Sequence, residues 1–168
     1  MFRRRKKSIL ETPPDEPLFR MTRKDDPEML RAFAHAAGSL DELFGHLQQA
    51  GSRTAAVKMR FRDPDQSERL GEDRFVFLWL LVVEHDANTR RLAVEFFEVP
   101  PDLQKWHKPG ERLIIDSDQV FDWFVNDDGL MHGGFTMRVA RARMPEGERA
   151  AFDKFTGVRH WVDRKSVV

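Results

Sequence analysis

The chain has 168 residues, of which 40% are hydrophobic and 33% are charged, and its formal net charge is zero. This length is enough for one domain with its own core, and the apolar content is too high for a chain that is disordered throughout. Because the sequence has no cysteine, disulfides, thiolate zinc sites, iron–sulfur clusters and cysteine nucleophiles are excluded. The longest apolar run, Phe75 to Val83, is far shorter than the ~20 residues of a membrane helix, so we expect no membrane insertion.

The first 24 residues differ in composition from the rest of the chain. They contain eight Lys or Arg against three Asp or Glu, and the stretch from Thr12 to Pro17 is rich in proline. We predict that residues 1–24 form a disordered basic leader and that residues 25–168 form a single domain. A basic segment can bind phosphate groups, but a solvated tail is the simpler interpretation, so we do not expect nucleic acid as a partner.

The first regular element is predicted to begin at Asp26-Pro27, where an acidic N-cap precedes a proline at the first helical position. Apolar residues then recur at steps of three and four up to about Gly51, which predicts one amphipathic helix. Ser39 and Glu42 have the spacing of a capping box, so two shorter helices meeting at a bend are an open alternative. The apolar stripe consists of Leu30, Phe33, Ala34, Ala37, Leu40, Phe44 and Leu47.

Two strands are predicted to follow this helix. In the first, apolar residues alternate with the basic residues Lys58, Arg60 and Arg62, which predicts a strand with one face open to water or to a partner. In the second, from Phe75 to Val83, every residue is apolar, which predicts a central strand covered on both faces. Trp79 is therefore expected to lie in the core.

The second half of the domain contributes three more strands and a helix. Turn chemistry at residues 86–89 precedes a hairpin partner over residues 91–99. Further strands are predicted around residues 113–116 and 120–125, and a last helix begins at Pro145-Glu146. Together these elements predict an α+β domain with a mainly antiparallel sheet of about five strands, packed by the N-terminal helix and the C-terminal helix.

Motifs of the common enzyme classes are absent from the sequence. The six histidines show no metal-ligand spacing, and His35 and His46, which could share one side of a helix, are expected to be exposed to solvent. There is no glycine-rich phosphate loop and no nucleophile elbow. We therefore expect no metal and no cofactor.

The segment after residue 120 places polar groups among large apolar ones, on both sides of a strong turn at residues 126–129. A carboxylate between apolar neighbours needs a partner, and Arg138 is predicted to pair with Asp122. Buried pairs of this kind are more often architectural than catalytic, and paired glycines indicate positive φ or a close approach of the backbone. The candidate residues of this cluster, functional or structural, are Asp122, Trp123, His132, Gly133, Gly134, Phe135, Thr136 and Arg138.

Five segments of the chain occur in a distinctive order. They are the strand Lys58–Phe61, the strand containing Trp79, Lys108-Pro109-Gly110-Glu111, Asp122-Trp123 and Gly133-Gly134-Phe135-Thr136-x-Arg138. This order resembles the bacterial domain of unknown function 2314, the YegJ-like proteins. The Asp-Trp and Gly-Gly-aromatic-Thr-x-Arg segments are the specific part, and the resemblance covers roughly residues 25–145. It implies a bacterial, cytoplasmic protein, and it supplies no substrate.

Three functions are compatible with the sequence. The leading hypothesis is a non-catalytic binding domain with an unknown protein partner, because the chain offers a packed sheet and no recognisable catalytic set. The alternative is a small enzyme with a site around Asp122, His132, Thr136 and Arg138. Its acid or base would be Asp122 or His132, Arg138 would hold an anion, and a cleft would have to unite these groups. The third hypothesis is weak nucleic-acid binding by the basic leader and by Arg138, Arg141 and Arg143, which would need a continuous positive surface.

Overall fold

The computed structural model describes residues 26–49, 51 and 53–163, so the predicted basic leader lies outside the described residues. Short 3₁₀ turns at Pro101–Leu103 and Ser117–Gln119 lie before and after the fourth strand. The helices and strands, in chain order, are α1 (Pro27–Gly38), α2 (Leu40–Leu47), β1 (Thr54–Arg62), α3 (Pro64–Leu70), β2 (Phe75–Asp86), β3 (Arg91–Phe96), β4 (Arg112–Asp116), β5 (Asp122–Asp127), β6 (Leu130–Gly133), α4 (Phe135–Ala142), α5 (Glu146–Thr156) and β7 (His160–Trp161).

The seven described strands join one sheet in the order β4-β3-β2-β1-β5-β6-β7. Neighbouring strands are antiparallel except β6 and β7, which are parallel. The predicted α+β class with a mainly antiparallel sheet is therefore confirmed. The predicted count of about five strands is low because β6 and β7 are only four and two residues long, too short for an alternating pattern to be recognised.

The N-terminal helical segment is two helices, which confirms the bent alternative. The Asp26 carboxylate accepts a hydrogen bond from the backbone N–H of Met29 at 3.3 Å, so α1 begins as predicted. The predicted capping box at Ser39 is wrong. Its hydroxyl group donates to the carbonyl oxygen of His35 at 2.7 Å and accepts from Trp123 Nε1 at 3.0 Å. Ser39 is the N-cap residue of α2, but its side chain ties the bend to the sheet and makes no capping hydrogen bond to α2.

The buried face of α1 differs from the predicted apolar stripe. Met29, Ala32 and Ala36 are buried, whereas Leu30 is 48% exposed. A single stripe does not continue through the bend at Ser39, and α1 also packs against α4, which a pattern along one helix does not reveal.

Apolar side chains pack in two clusters, because neighbouring residues of a strand point to opposite faces of the sheet. The larger cluster joins the sheet to α1 and α2 and contains Leu43 and Trp123. The smaller cluster joins the sheet to α4 and α5 and contains Trp79, Phe124 and Phe152. Trp79 is 3% exposed, which confirms its predicted core position, although only the middle of β2 is covered on both faces.

Strand β1 is the middle strand of the sheet and pairs with β2 and β5. Its predicted open face is only partly correct. Arg60 and Arg62 are exposed, but Lys58 is 6% exposed and its ammonium group contacts α4. Alternation shows that a strand has two different faces, and it does not show which neighbours cover each face.

Candidate functional site

The carboxylate of Asp122 caps the start of α4. Asp122 is fully buried at the first position of β5. Its Oδ1 accepts hydrogen bonds from the backbone N–H groups of Trp123 at 2.8 Å and Phe135 at 3.2 Å. Its Oδ2 accepts from the backbone N–H of Thr136 at 2.8 Å and from the hydroxyl group of that residue at 2.5 Å. The N-cap residue, Gly134, has no side chain for this purpose, so an acid from a strand supplies the cap.

Lys58 is the buried cation beside this carboxylate. It lies directly opposite Asp122 on β1, its Nζ donates to the Thr136 hydroxyl oxygen at 3.0 Å, and the Trp79 ring centroid lies 5.4 Å from Nζ. Burial lowers the pKa of Lys58 to about 8, against the raising effect of Asp122. Burial likewise raises the pKa of Asp122, against the lowering effects of Lys58 and of the Thr136 hydrogen bonds. Lys58, Asp122 and Thr136 therefore form an enclosed polar unit, which we call the α4 cap.

The predicted pair of Asp122 and Arg138 is wrong. Arg138 donates from Nε to the carbonyl oxygen of Gly133 at 2.8 Å, and from Nη2 to those of Met131 at 3.1 Å and Val162 at 2.7 Å. These bonds tie β6 to the chain that follows β7. Closeness in sequence suggested Arg138 as the partner, whereas the pairing of β1 with β5 brings a cation from a distant strand to the acid.

Gly133 and Gly134 show both features that paired glycines indicate, which are a positive φ angle and a close approach of the backbone. Their φ angles are positive, at 71° and 66°. A Cβ at Gly133 would overlap the carbonyl oxygen and the indole ring of Trp123, and the N–H of Gly134 donates to that carbonyl at 2.6 Å. The two glycines therefore let the start of α4 lie directly against Trp123, which is fully buried.

A cleft of about 440 Å³ opens beside the α4 cap. Its walls come from α1, α2, the end of β6, the start of α4 and the segment after β7. Asp122 and Thr136 do not belong to these walls, because they are 0% and 2% exposed. The structure thus divides the sequence candidates between a closed cap and an open cleft. The candidates that line the cleft are His132, Gly133, Phe135 and Arg138.

Two histidines contact each other in this cleft. The ring centroids of His46 and His132 are 4.2 Å apart, with an angle of 40° between the ring planes. Burial lowers the pKa of both rings, and repulsion by His132 and by Arg53 lowers the pKa of His46 further. Both imidazoles are therefore mainly uncharged at neutral pH. His132 offers one N–H donor and one nitrogen acceptor, whereas Nδ1 of His46 accepts from Arg53 at 3.4 Å, so His46 keeps only an N–H donor for a ligand. The carboxyl groups of Glu42 and Asp163 line the same cleft.

Two important residues, Lys58 and His46, were not predicted in these roles. The sequence predicts a solvent-exposed His46, but the structure places it in the cleft wall, partly buried against His132. His35 is exposed as expected and lines the same cleft. The helical spacing of His35 and His46 indicates that they share one side of the helices, whereas the contact of His46 with His132 depends on how α2 packs against the sheet.

The described residues contain no group of three or more His, Asp or Glu side chains arranged to hold a metal ion. None of the helices within residues 26–163 is long and apolar enough to cross a bilayer. The cytoplasmic location that the family resemblance implies stays a prediction.

Comparisons with known proteins give one family and one partial relative. The family model described as "Uncharacterized protein conserved in bacteria (DUF2314)" matches residues 26–160. A protein of Neisseria meningitidis serogroup B, named "Putative ankyrin repeat protein", is 35% identical over 49 residues, which are 29% of this chain and 19% of that protein. The match therefore spans about a fifth of the length of this curated relative. No solved structure matches the chain.

Proposed function

The chain belongs to the DUF2314 family of proteins conserved in bacteria, and we propose that it is a non-catalytic protein-interaction domain that receives a segment of a partner protein in the His46–His132 cleft. The observation that carries this proposal is the separation of the cleft from Asp122. That residue is one of the two groups that the enzymatic alternative offers as acid or base, yet it is fully buried and accepts four hydrogen bonds from Trp123, Phe135 and Thr136. The groups that remain accessible are suited to binding.

The walls of the cleft combine apolar surface with a few polar groups, as binding sites do. Phe135 and Val162 supply apolar surface. His46 and His132 supply hydrogen-bond donors and acceptors without a net charge, because burial lowers the pKa of both rings. Acidic side chains and Arg138 line the cleft as well. A peptide segment carries apolar side chains, backbone amides and charged side chains, so its chemistry can match all of these walls.

Contacts at the base of the cleft hold its shape. Arg138 fixes the segment after β7 through its hydrogen bond to Val162. The Phe135 ring packs edge-on against Trp123, with the ring centroids 5.9 Å apart, and Trp123 is in turn bonded to Ser39 at the α1–α2 bend. A preformed site loses little conformational entropy on binding, which favours association.

The partial relative supports a binding role in a limited way. Ankyrin repeats form extended binding surfaces, so a shared segment with a protein of that name is in keeping with protein interaction. The shared segment covers about a fifth of that protein, so the stronger support for a binding role comes from the cleft of this chain.

Nucleic-acid binding gains no support from Arg141 and Arg143. Arg141 forms two hydrogen bonds with the Asp153 carboxylate, at 2.7 and 2.8 Å. Arg143 forms two with the Asp26 carboxylate, both at 2.8 Å. Carboxylates thus balance these charges, and they do not form the continuous positive surface that a phosphate backbone requires.

A small enzyme is the second candidate function, and the His46–His132 pair is the observation that favours it. A histidine with a perturbed pKa in a cleft is a usual acid or base. His132 would take this role in place of Asp122. Catalytic turnover of a substrate that is lost on replacement of His132, and kept on replacement of the exposed His85, would replace the binding proposal with this enzymatic one.

Site-specific photo-crosslinking in the native bacterium tests the binding proposal. A benzophenone amino acid placed at Phe135, in the cleft wall, should give a covalent adduct with one discrete protein. The matched control places the same group at Leu70, which is 48% exposed on α3 and lies outside the cleft. The adduct at position 135 should disappear in the His132→Ala background. No adduct at position 135, or the same adducts at both positions, contradicts the proposal.

A further inference from the structure

Strand β4 forms an edge of the sheet. It pairs with β3 on one side, and no strand among the described residues pairs with its other side. Leu113 and Ile115 point inward to the core, whereas Ile114 is 77% exposed, the largest exposure among the large apolar residues that the structure describes. Exposed edge strands attract other strands, so natural proteins usually protect them with charge, proline or bulges.

The backbone groups of β4 that face outward belong to three residues. The N–H of Ser117 donates to the carbonyl oxygen of Arg90 at 2.9 Å, which marks a hydrogen-bonded pair directly beside the pair of Arg91 and Asp116, at the end of the β3–β4 ladder. Such pairs alternate along an antiparallel ladder, so the residues between them direct their N–H and C=O groups away from β3. These residues are Arg112, Ile114 and Asp116.

Along β4 the side chains of these three residues are basic, apolar and acidic, in that order. Within the chain, Arg112 already pairs with Glu95 at 3.2 Å and Asp116 pairs with Arg91 at 3.2 Å. The residues of β3 that lie opposite them are Arg91, Ala93 and Glu95, so β3 has the same order of basic, apolar and acidic side chains. A second copy of β4 would present the same order as β3, so the edge is complementary to itself.

We propose that two copies of this chain associate through β4, antiparallel and about a two-fold axis at Ile114. Ile114 of each copy then faces Ile114 of the other, and their outward N–H and C=O groups form two hydrogen bonds. Arg112 of one copy faces Asp116 of the other. Two outer rows of side chains then cross the four strands of the joined sheet. Each row contains Glu95 and Arg112 of one copy followed by Asp116 and Arg91 of the other, so its charges alternate.

A second copy satisfies this edge better than an unrelated strand does. An unrelated partner needs an acid and a base at matching positions, in the opposite order, whereas the chain supplies them by symmetry. The N–H of Asp116 is held by the Gln119 side chain at 3.1 Å, so the ladder ends there. A two-fold contact uses the same edge on both copies, so the assembly closes as a dimer and does not extend into a fibre.

Charge-reversal variants of Arg112 and Asp116 test this proposal. Sedimentation velocity of the full chain over a concentration series measures how strongly each variant dimerises. Arg112→Glu places two acids opposite each other, and Asp116→Arg places two bases opposite each other, so each variant should dimerise at least about tenfold more weakly than the wild type. An equal mixture of the two variants should recover dimers, because the acid introduced in one variant then faces the base introduced in the other. Arg69→Glu, an exposed charge reversal on α3, is the control and should behave as the wild type.

Ile114→Lys gives an independent test that does not disturb the 3₁₀ turn capped by Asp116. It places two lysines face to face on the axis and should also weaken the dimer at least about tenfold, whereas Leu70→Lys on α3 should not. A wild type that stays monomeric at every concentration, single variants that dimerise normally, or a mixture that stays monomeric each overturns the proposal. Strand β4 lies at the opposite end of the sheet from β6 and the cleft, so these results are independent of the binding proposal.

Discussion

Lys58 and Asp122 lie directly opposite each other on β1 and β5, and both side chains are buried. The Thr136 hydroxyl group connects them, since it accepts a hydrogen bond from Lys58 Nζ and donates one to Asp122 Oδ2. Because Asp122 also caps α4, the fold of this region depends on a buried charge pair. Its consequences for stability are measurable.

The free energy of unfolding should depend on pH through Lys58. Burial lowers the pKa of Lys58 from 10.5 to about 8. Between pH 8 and 10.5 the unfolded chain therefore binds more protons at this site than the folded chain, so stability due to Lys58 rises with pH in this window. The rise is up to about 3 kcal/mol, at about 1.4 kcal/mol per pKa unit. Urea unfolding of the wild type and of Lys58→Met across this window measures it as the difference between the two profiles. Parallel profiles contradict the prediction.

Removal of the Asp122 carboxylate should destabilise the fold strongly. Asp122→Ala deletes the α4 cap and leaves the Lys58 charge buried without its counter-charge, so a loss of about 3–5 kcal/mol is expected. Addition of Lys58→Met should recover part of this loss, which a double-mutant cycle in urea measures as coupling. Asp118→Ala, at an exposed acid, is the control. Independent, additive effects of the two changes are the result that rejects the pair.

Trp79 should contribute to stability as a core residue. It is 3% exposed, whereas Trp106 is 41% exposed. Trp79→Ala should cost about 3–5 kcal/mol by loss of burial and creation of a cavity, and Trp106→Ala should cost no more than about 1 kcal/mol. Thermal and urea unfolding of both variants check the contrast. Equal effects at the two positions count against the assigned core.

Two glycine-to-alanine changes should have opposite signs. Gly133 has a positive φ, and its Cβ would meet Trp123, so Gly133→Ala should cost at least about 2 kcal/mol. Gly147 lies in α5, and no atom lies within 4 Å of the position that a Cβ would take there. Gly147→Ala should therefore stabilise the protein by about 0.5–1 kcal/mol. Melting temperatures of both variants decide the matter. A harmless Gly133→Ala shows that α4 can move away from Trp123.

Local signals in the sequence predicted local structure well. The start of α1 follows from the acid and proline at Asp26-Pro27, and the β2–β3 hairpin follows from the turn residues at 86–89. Helix α4 was not predicted, because its N-cap is a glycine and the acid that caps it lies in β5, fourteen residues before Thr136. Burial of Lys58 was missed for the same reason, since its position in the middle of the sheet depends on which strands become its neighbours.

The candidate site could be predicted only in part. The segment around residues 132–138 contains the cleft residues His132 and Arg138, and it stands out in the sequence because polar groups and glycines lie among apolar residues. His46 joins the site from α2, and Val162 joins it from the segment after β7. No spacing in the sequence connects these three segments, because only the sheet and the α1–α2 bend bring them together.

Binding of the partner identified by crosslinking at position 135 tests the central claim most directly. Calorimetric titration of that purified protein should compare the full wild-type chain with His132→Ala and with His85→Ala, an exposed histidine at the end of β2. Loss of the cleft imidazole should weaken binding at least about tenfold, whereas His85→Ala should leave the affinity within about twofold. The partner should also remain chemically unchanged. Equal affinity for all three chains, or conversion of the partner that requires His132, contradicts the account.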